Sequence, residues 1–282
     1  MLASLPRAAV AFVVLTFLAT SAGAGEKVTL GLPTSEVVPL GTIDHGAWDK
    51  LLKHYCDEHG LVDYAAWKHS ARDLAALDGY LGTLSSGDIA SSGSPRERLA
   101  FWINAYNALT VAGILREYPT TTIRNHTSRD PDQFDIWHDL LLIVGGKGYS
   151  LDVIENEMLR GQGEKRVRFA ITCASMACPR LRREAYTAEK LDAQLTDSAQ
   201  QFFARPANLR IDFDTHTVYV SRLLHWFERD FGTTPQKGLA ALAEYFPDQQ
   251  AWRAVTATDY RVEYVTYDWH LNDHASKPTA RR

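Results

Sequence analysis

The chain has 282 residues, 45% of them hydrophobic and 23% charged, with a formal net charge of −4. That length and apolar content suit one substantial domain with a core of its own. A mildly acidic chain has no long-range attraction for phosphate backbones or anionic lipid, which argues against a nucleic-acid binder.

The first 24 residues read as a secretory leader. Arg7 is a positive n-region, Ala8 to Ala19 is an apolar run too short for a comfortable membrane span, and Ala22-Gly23-Ala24 is a small-x-small cleavage site. The expectation is an exported soluble protein, periplasmic or extracellular, cut near Ala24. No cysteine follows the cut to carry a lipid, and no later segment is apolar enough to span a bilayer. Residues 25–42 form a loose arm, 43–273 a single globular domain, and 274–282 a disordered tail.

From Ile43 the pattern is helical: Trp48, Leu51, Leu52 and Tyr55 make one apolar stripe, and Leu74, Leu77, Tyr80 and Leu81 another. Ser94-Pro95 opens the next helix, which is apolar nearly all round and therefore central, and Pro119 ends it. Asn125, His126 and Asp130 to Asp132 mark a polar loop, and Phe134 to His138 an aromatic rim or lid. The segment LLLIVGGKGYSL is a hairpin turning at Gly145 to Gly148, after which Ser150 caps a helix from Leu151 to Arg160. Val167 to Ile171 is a β-like run. A helix follows from Thr187 to Ala204, then a second hairpin with Leu209, Ile211 and Phe213 before the turn and Val218 and Val220 after it. Ser221 to Phe231 and Gly238 to Tyr245 are helical, and residues 261–273 hold a closing strand. The fold class is α+β: a mostly helical body on a small antiparallel sheet made from the hairpins and the C-terminal strand.

Chemistry concentrates in FAITCASMACPRL, residues 169–181, where the β-like run delivers Cys173 and Cys178 onto a small-residue loop closed by Pro179. A strand end that presents a thiol on a tight loop suits a nucleophile. The same pair could equally form a structural disulfide, and with Cys56 the chain has an odd number of cysteines. Two asparagines, Asn104 and Asn107, interrupt the most apolar helix, with Tyr106 between them. A buried amide left unpaired costs about 1–3 kcal/mol, so each needs partners, in neighbouring loops or in a ligand. Glu155 borders the core beside Ile154 and Met158. His225, His138 and His126 are the candidate bases for a thiol, although His225, among aromatics, also reads as a packed core histidine. The basic groups Lys165-Arg166-Arg168 and Arg180, Arg182 and Arg183 read as solvated faces flanking the site. No spacing suits a metal site, and no phosphate-cradling loop or serine-hydrolase elbow is present, so no cofactor or metal is expected.

The segments FWINAYNALT, VGGKGYSLDVIENEMLR, FAITCASMACPRL, VYVSRLLHWFERDFG and YDWHLND, in that order between residues 47 and 272, closely resemble the "domain of unknown function 547" family. Its biochemistry is unassigned. It has exported bacterial members and plant members fused to a leucine-zipper segment that this chain lacks. The resemblance implies that Asn104, Tyr106, Asn107, Glu155, Cys173, Ser175, Cys178, Pro179 and Trp226 fall on the family's motif positions. The position after the glutamate, often His in the family, is Asn156 here, and plant-type members replace the cysteines.

Two functions remain open on these residues. One is a thiol-dependent hydrolase or transferase with Cys173 as nucleophile, Glu155 or His225 as base or orienter, Asn104 polarising a carbonyl, and Tyr106, Asn107, Ser175, Cys178 and Trp226 lining the pocket. The other is a non-catalytic binding or assembly module stiffened by a Cys173–Cys178 disulfide. The partner in either case is a small molecule or peptide.

Overall fold

The computed structural model describes residues 27–32, 36–90, 93–128, 133–256 and 260–276. The leader and all but the start of the C-terminal tail lie outside them. About 50% is helical and 14% strand, in small mixed sheets, so the fold is α+β with a helical body.

The body is organised around the helix Pro95–Glu117. Ser94 and Glu97 close a reciprocal capping box at its start, with Pro95 in the first turn. Every side chain from Leu99 to Leu115 is buried, as expected for a helix apolar on all faces. The helices Tyr64–His69 and Ala71–Ser85 lean on it, with the hairpin Leu140–Val144 and Lys147–Ser150, and Gly46–Tyr55 packs in turn on Ala71–Ser85. Gly113 is what lets that hairpin come close. A Cβ there would stand 2.7 Å from Leu140 Cδ2 and 2.8 Å from Ile136 Cδ1.

Asn104 and Asn107 are satisfied by backbone. The Asn104 amide donates to Tyr186 O at 2.8 Å and accepts the Tyr186 N–H at 2.9 Å. Asn107 donates to Ala170 O and accepts the Thr172 N–H, both at 3.0 Å. Each side chain therefore stands in for one residue of a β-ladder. Together they fasten two irregular segments across the central helix, which explains polar residues at 0% and 2% exposure in an apolar core.

Both hairpins form with antiparallel registers, but the sheets are mixed rather than antiparallel. The closing strand Arg261–Tyr264 pairs parallel to Thr217–Val220. The arm is not wholly loose either, since Val28–Leu30 pairs parallel to Leu140–Leu142. Chain direction at a sheet edge depends on how a distant segment arrives, which alternation cannot encode. Val167 to Ile171 is not a strand: Lys165–Phe169 is a short 3₁₀ turn, and Asn107 takes up the backbone that follows. The helix begun at Leu151 widens into a π turn over Ile154–Leu159. The start of the tail is tied down, with the His274 N–H bonded to Val62 O at 3.0 Å.

A second core gathers Phe169, Phe202, Phe203, Val218, Val220 and Leu223 around the C-terminal strands. The seam between it and the central-helix core holds a cleft.

Candidate functional site

The segment after Ile171 is held from both sides. Across from Asn107 it rides on the C-terminal stretch: Met176 N–H donates to His270 O at 2.8 Å, Ala177 N–H to Asp268 O at 3.1 Å, and Asn272 N–H to Ala174 O at 3.0 Å. The Arg205 guanidinium donates to the carbonyls of Cys178 and Met176. Between these anchors Ala174 adopts a left-handed backbone with φ +59°, uncommon for a residue with a Cβ. Such strain survives where the surroundings over-determine it, and it clusters at functional turns. Ala174→Gly is expected to be tolerated within about 1 kcal/mol, whereas β-branched Ala174→Val should destabilise by about 2–3 kcal/mol or more. Thermal denaturation of the two variants checks this. Equal stability would remove any special demand on the turn.

The tight turn leaves Cys173 partly exposed and Cys178 buried. No disulfide joins them. The pair stands at 2.7 Å, outside the about 2.05 Å of an S–S bond, and Cys56, Cys173 and Cys178 are all free thiols. Cys178 Sγ instead accepts the Cys173 N–H at 2.8 Å, which turns its sulfur into a hydrogen-bond partner of the loop. Cys173 Sγ lies 3.0 Å from Ser175 Oγ and 3.3 Å from the Tyr267 hydroxyl, and Ser175 Oγ donates to Tyr267 at 3.1 Å. Burial pushes the Cys173 thiol up, but hydrogen bonds from Cys178, Ser175, Tyr267 and the Ser175 backbone outweigh it and lower it from 9.0 to about 7. Burial and the two neighbouring thiols hold the Tyr267 phenol far above its ordinary range. It stays protonated and able to donate.

Cys173 opens into a cleft of about 300 Å³ between the two cores. On the central-helix side stand Tyr106 and Glu155. The π turn carries Glu155, and such widened turns recur at functional sites. Tyr106 OH donates to Glu155 Oε2 at 3.0 Å, and Arg168 donates to Oε1 in a short contact. Arg168 also reaches Asp230 Oδ2 at 2.8 Å, and Arg160 takes Asp230 Oδ1 at 2.7 Å. Burial raises the Glu155 carboxyl above its ordinary value, with Arg168 and Tyr106 pulling the other way. The far wall is aromatic. Trp226, Tyr267 and Trp269 touch one another at ring-centroid distances of 4.8, 5.5 and 4.6 Å, beside Phe227 and Trp137.

Of the residues singled out from the sequence, Tyr106, Glu155, Cys173, Cys178 and Trp226 line this cleft. Ser175 lies beneath it, bonded to Cys173. Asn107 supports the loop from behind, and Asn104 has both ends of its amide committed to Tyr186, so it is not placed to polarise a carbonyl here. His225 is outside the cleft. It is not a core histidine: its side chain is 50% exposed, its ring rests on Tyr264, and Glu228 is 3.9 Å away. His138 is the one imidazole among the lining residues, with Nδ1 3.4 Å from Asp135 Oδ2.

Arg168 escaped the sequence reading. Grouped with Lys165 and Arg166 as a solvated face, it is 4% exposed and joins the two sides of the seam. The available signal was its position inside the apolar run VRFAI. Tyr267 and Trp269 read only as strand alternation. Among the described residues, no group of three or more His, Cys, Asp or Glu side chains could hold a metal ion, and no helix is long and apolar enough to cross a membrane.

No curated protein and no solved structure matches the chain. Residues 90–203, which carry Tyr106, Trp137, Glu155, Arg168, Cys173 and Cys178 but not Trp226, Phe227, Tyr267 or Trp269, match the model of the family described as "Protein of unknown function, DUF547", and it is this family that the chain resembles.

Proposed function

We propose that this is an exported thiol enzyme of the acyl-transfer class, a hydrolase or transferase whose nucleophile is Cys173. One observation carries the reading: a thiol lowered to about 7 at the base of a cleft of about 300 Å³. A thiolate present at neutral pH attacks without a base having to remove its proton first. Export rests on the leader-like residues 1–24.

In the first half-reaction the Cys173 thiolate attacks the carbonyl carbon of an ester, thioester or amide. A C–S bond forms, the carbonyl electron pair moves onto oxygen, and the Tyr267 hydroxyl, 3.3 Å from Sγ, is the nearby donor for that oxyanion. Collapse expels the alkoxide, thiolate or amine, which leaves with a proton from His138 or from water. Water or an acceptor nucleophile then attacks the thioester, loses its proton to the solvent or His138, and regenerates the thiolate. Glu155 and Arg168 position the cleft wall rather than react, since each is already engaged by the other.

The test is a panel of activated esters and thioesters read by product release and by intact mass. Wild-type protein should accumulate an acyl adduct mapped to Cys173. Cys173→Ala should form none and turn over at least about 10³-fold more slowly. Undiminished turnover in Cys173→Ala, or no adduct on any member of the panel, would overturn the reading in favour of a binding module.

A further inference from the structure

The cleft's charges and rings also specify what its ligand carries. Arg168 is the only Lys or Arg among the lining residues; its Nη2 makes no hydrogen bond but lies 2.8 Å from Asp230 Oδ2, so its charge is already met within the protein. It is buried between Glu155 and Asp230, and Asp230 has Arg160 on its other oxygen, so these four groups neutralise one another. Asp152, three residues before Glu155, pairs with no Lys or Arg among the described residues. Its Oδ1 accepts the neutral Asn156 amide at 3.0 Å, and among the described residues its one ion-pair neighbour is His138, with Nε2 4.0 Å away. That imidazole is shared, because its Nδ1 is 3.4 Å from Asp135. Two carboxylates thus flank one histidine, and this cluster of three keeps net negative charge whether or not His138 is protonated, with Asp152 the carboxylate of the pair that lines the cleft.

Opposite stands the aromatic wall. Ring faces carry negative quadrupole potential, and this wall already receives cations elsewhere. The Arg168 guanidinium lies 3.8 Å from the Phe227 ring centre, and Arg124 lies 5.3 Å from that of Trp269 on the outer side. The Trp226 ring, 43% exposed, lines the same cleft with no Arg or Lys placed over it among the described residues.

We infer that the substrate is a small cationic acyl compound, bearing an ammonium or guanidinium group held between Asp152 and the Trp226 face while its carbonyl meets Cys173. The volume suits something of amino-acid to short-peptide size. This rests on the thiol reading above and deepens it.

Three methanethiosulfonate reagents test it, each forming a mixed disulfide with a thiolate and releasing methanesulfinate. One carries a trimethylammonium group, one a sulfonate, and one only a methyl group. Rates at Cys173, each divided by the rate with a free small thiol, should favour the cation over the anion by about tenfold or more at low salt, and the preference should shrink as salt is added. Asp152→Asn, at a half-exposed position, should erase most of that preference, and Trp226→Leu should reduce it. The neutral reagent normalises any change in the thiol itself. Equal rates for cation and anion, or an unchanged ratio in Asp152→Asn, would overturn the substrate assignment while leaving the reactive thiol intact. A Cys173 inert to all three reagents would overturn the thiol reading, and this inference with it.

Discussion

At pH 7.5, iodoacetamide is expected to alkylate Cys173 and to leave Cys56 and Cys178 unmodified in the folded protein. Alkylation needs thiolate, and the three thiols differ sharply in how readily they ionise. Cys173 is lowered to about 7, so its rate should rise with pH around a midpoint near that value and level off above it. Burial pushes Cys56 up to about 12, and burial with the neighbouring Cys173 holds Cys178 well above its ordinary value. At neutral pH the thiolate fraction of Cys173 should exceed that of an ordinary cysteine by about tenfold or more, offset in part because a more acidic thiol is a weaker nucleophile. Tyr267→Phe and Ser175→Ala each remove a group that stabilises the thiolate, so each should move the midpoint upward. Mass spectrometry of tryptic peptides over a pH series reads all of this. A midpoint at or above 8.5 for Cys173, or equal labelling of the three cysteines, would be incompatible with the site described.

Arg168→Ala should be the most damaging single substitution in the cleft, costing about 3–5 kcal/mol of folding stability. The guanidinium is buried, it bonds Glu155 and Asp230, and its removal leaves the buried Glu155 carboxylate without its cation and Asp230 with Arg160 alone. It also deletes the packing on Phe227. Arg168→Lys keeps the charge but not the planar fork, and should recover only part of the loss. Glu155→Gln retains an acceptor for Tyr106 and removes one charge, so it should cost less than Arg168→Ala. Urea unfolding of the three variants gives the order directly. A loss below about 1 kcal/mol for Arg168→Ala would mean that the network does not join the two cores.

How much of this could be read beforehand differs between element and contact. The central helix announced itself through Ser94, Pro95, Glu97 and an unbroken apolar run, because caps and periodicity are local properties. Cys173 and Glu155 were legible for a related reason, since a thiol on a small-residue loop and an acid beside core positions are unusual where they stand. Asn104 and Asn107 were legible as an anomaly but not as a solution. Their partners, Tyr186, Ala170 and Thr172, lie more than 60 residues away, and no helical pattern records them. Arg168 and His225 exchanged the roles that local chemistry suggests. The arginine among charges is buried because Glu155 and Asp230 converge on it, and the histidine among aromatics is exposed because its helix turns it outward.

By itself the sequence determined the α+β class, the central helix and the segment that carries the thiol, since capping, periodicity and turn chemistry act over a few residues. The tertiary structure decided what that thiol is. Tyr267 approaches from 94 residues away to bond it, Cys178 turns its sulfur to a backbone N–H, and the seam between two cores supplies the cleft. The ionisation of a thiol depends on the solvation and donors around the sulfur, and those arrive only when distant segments pack.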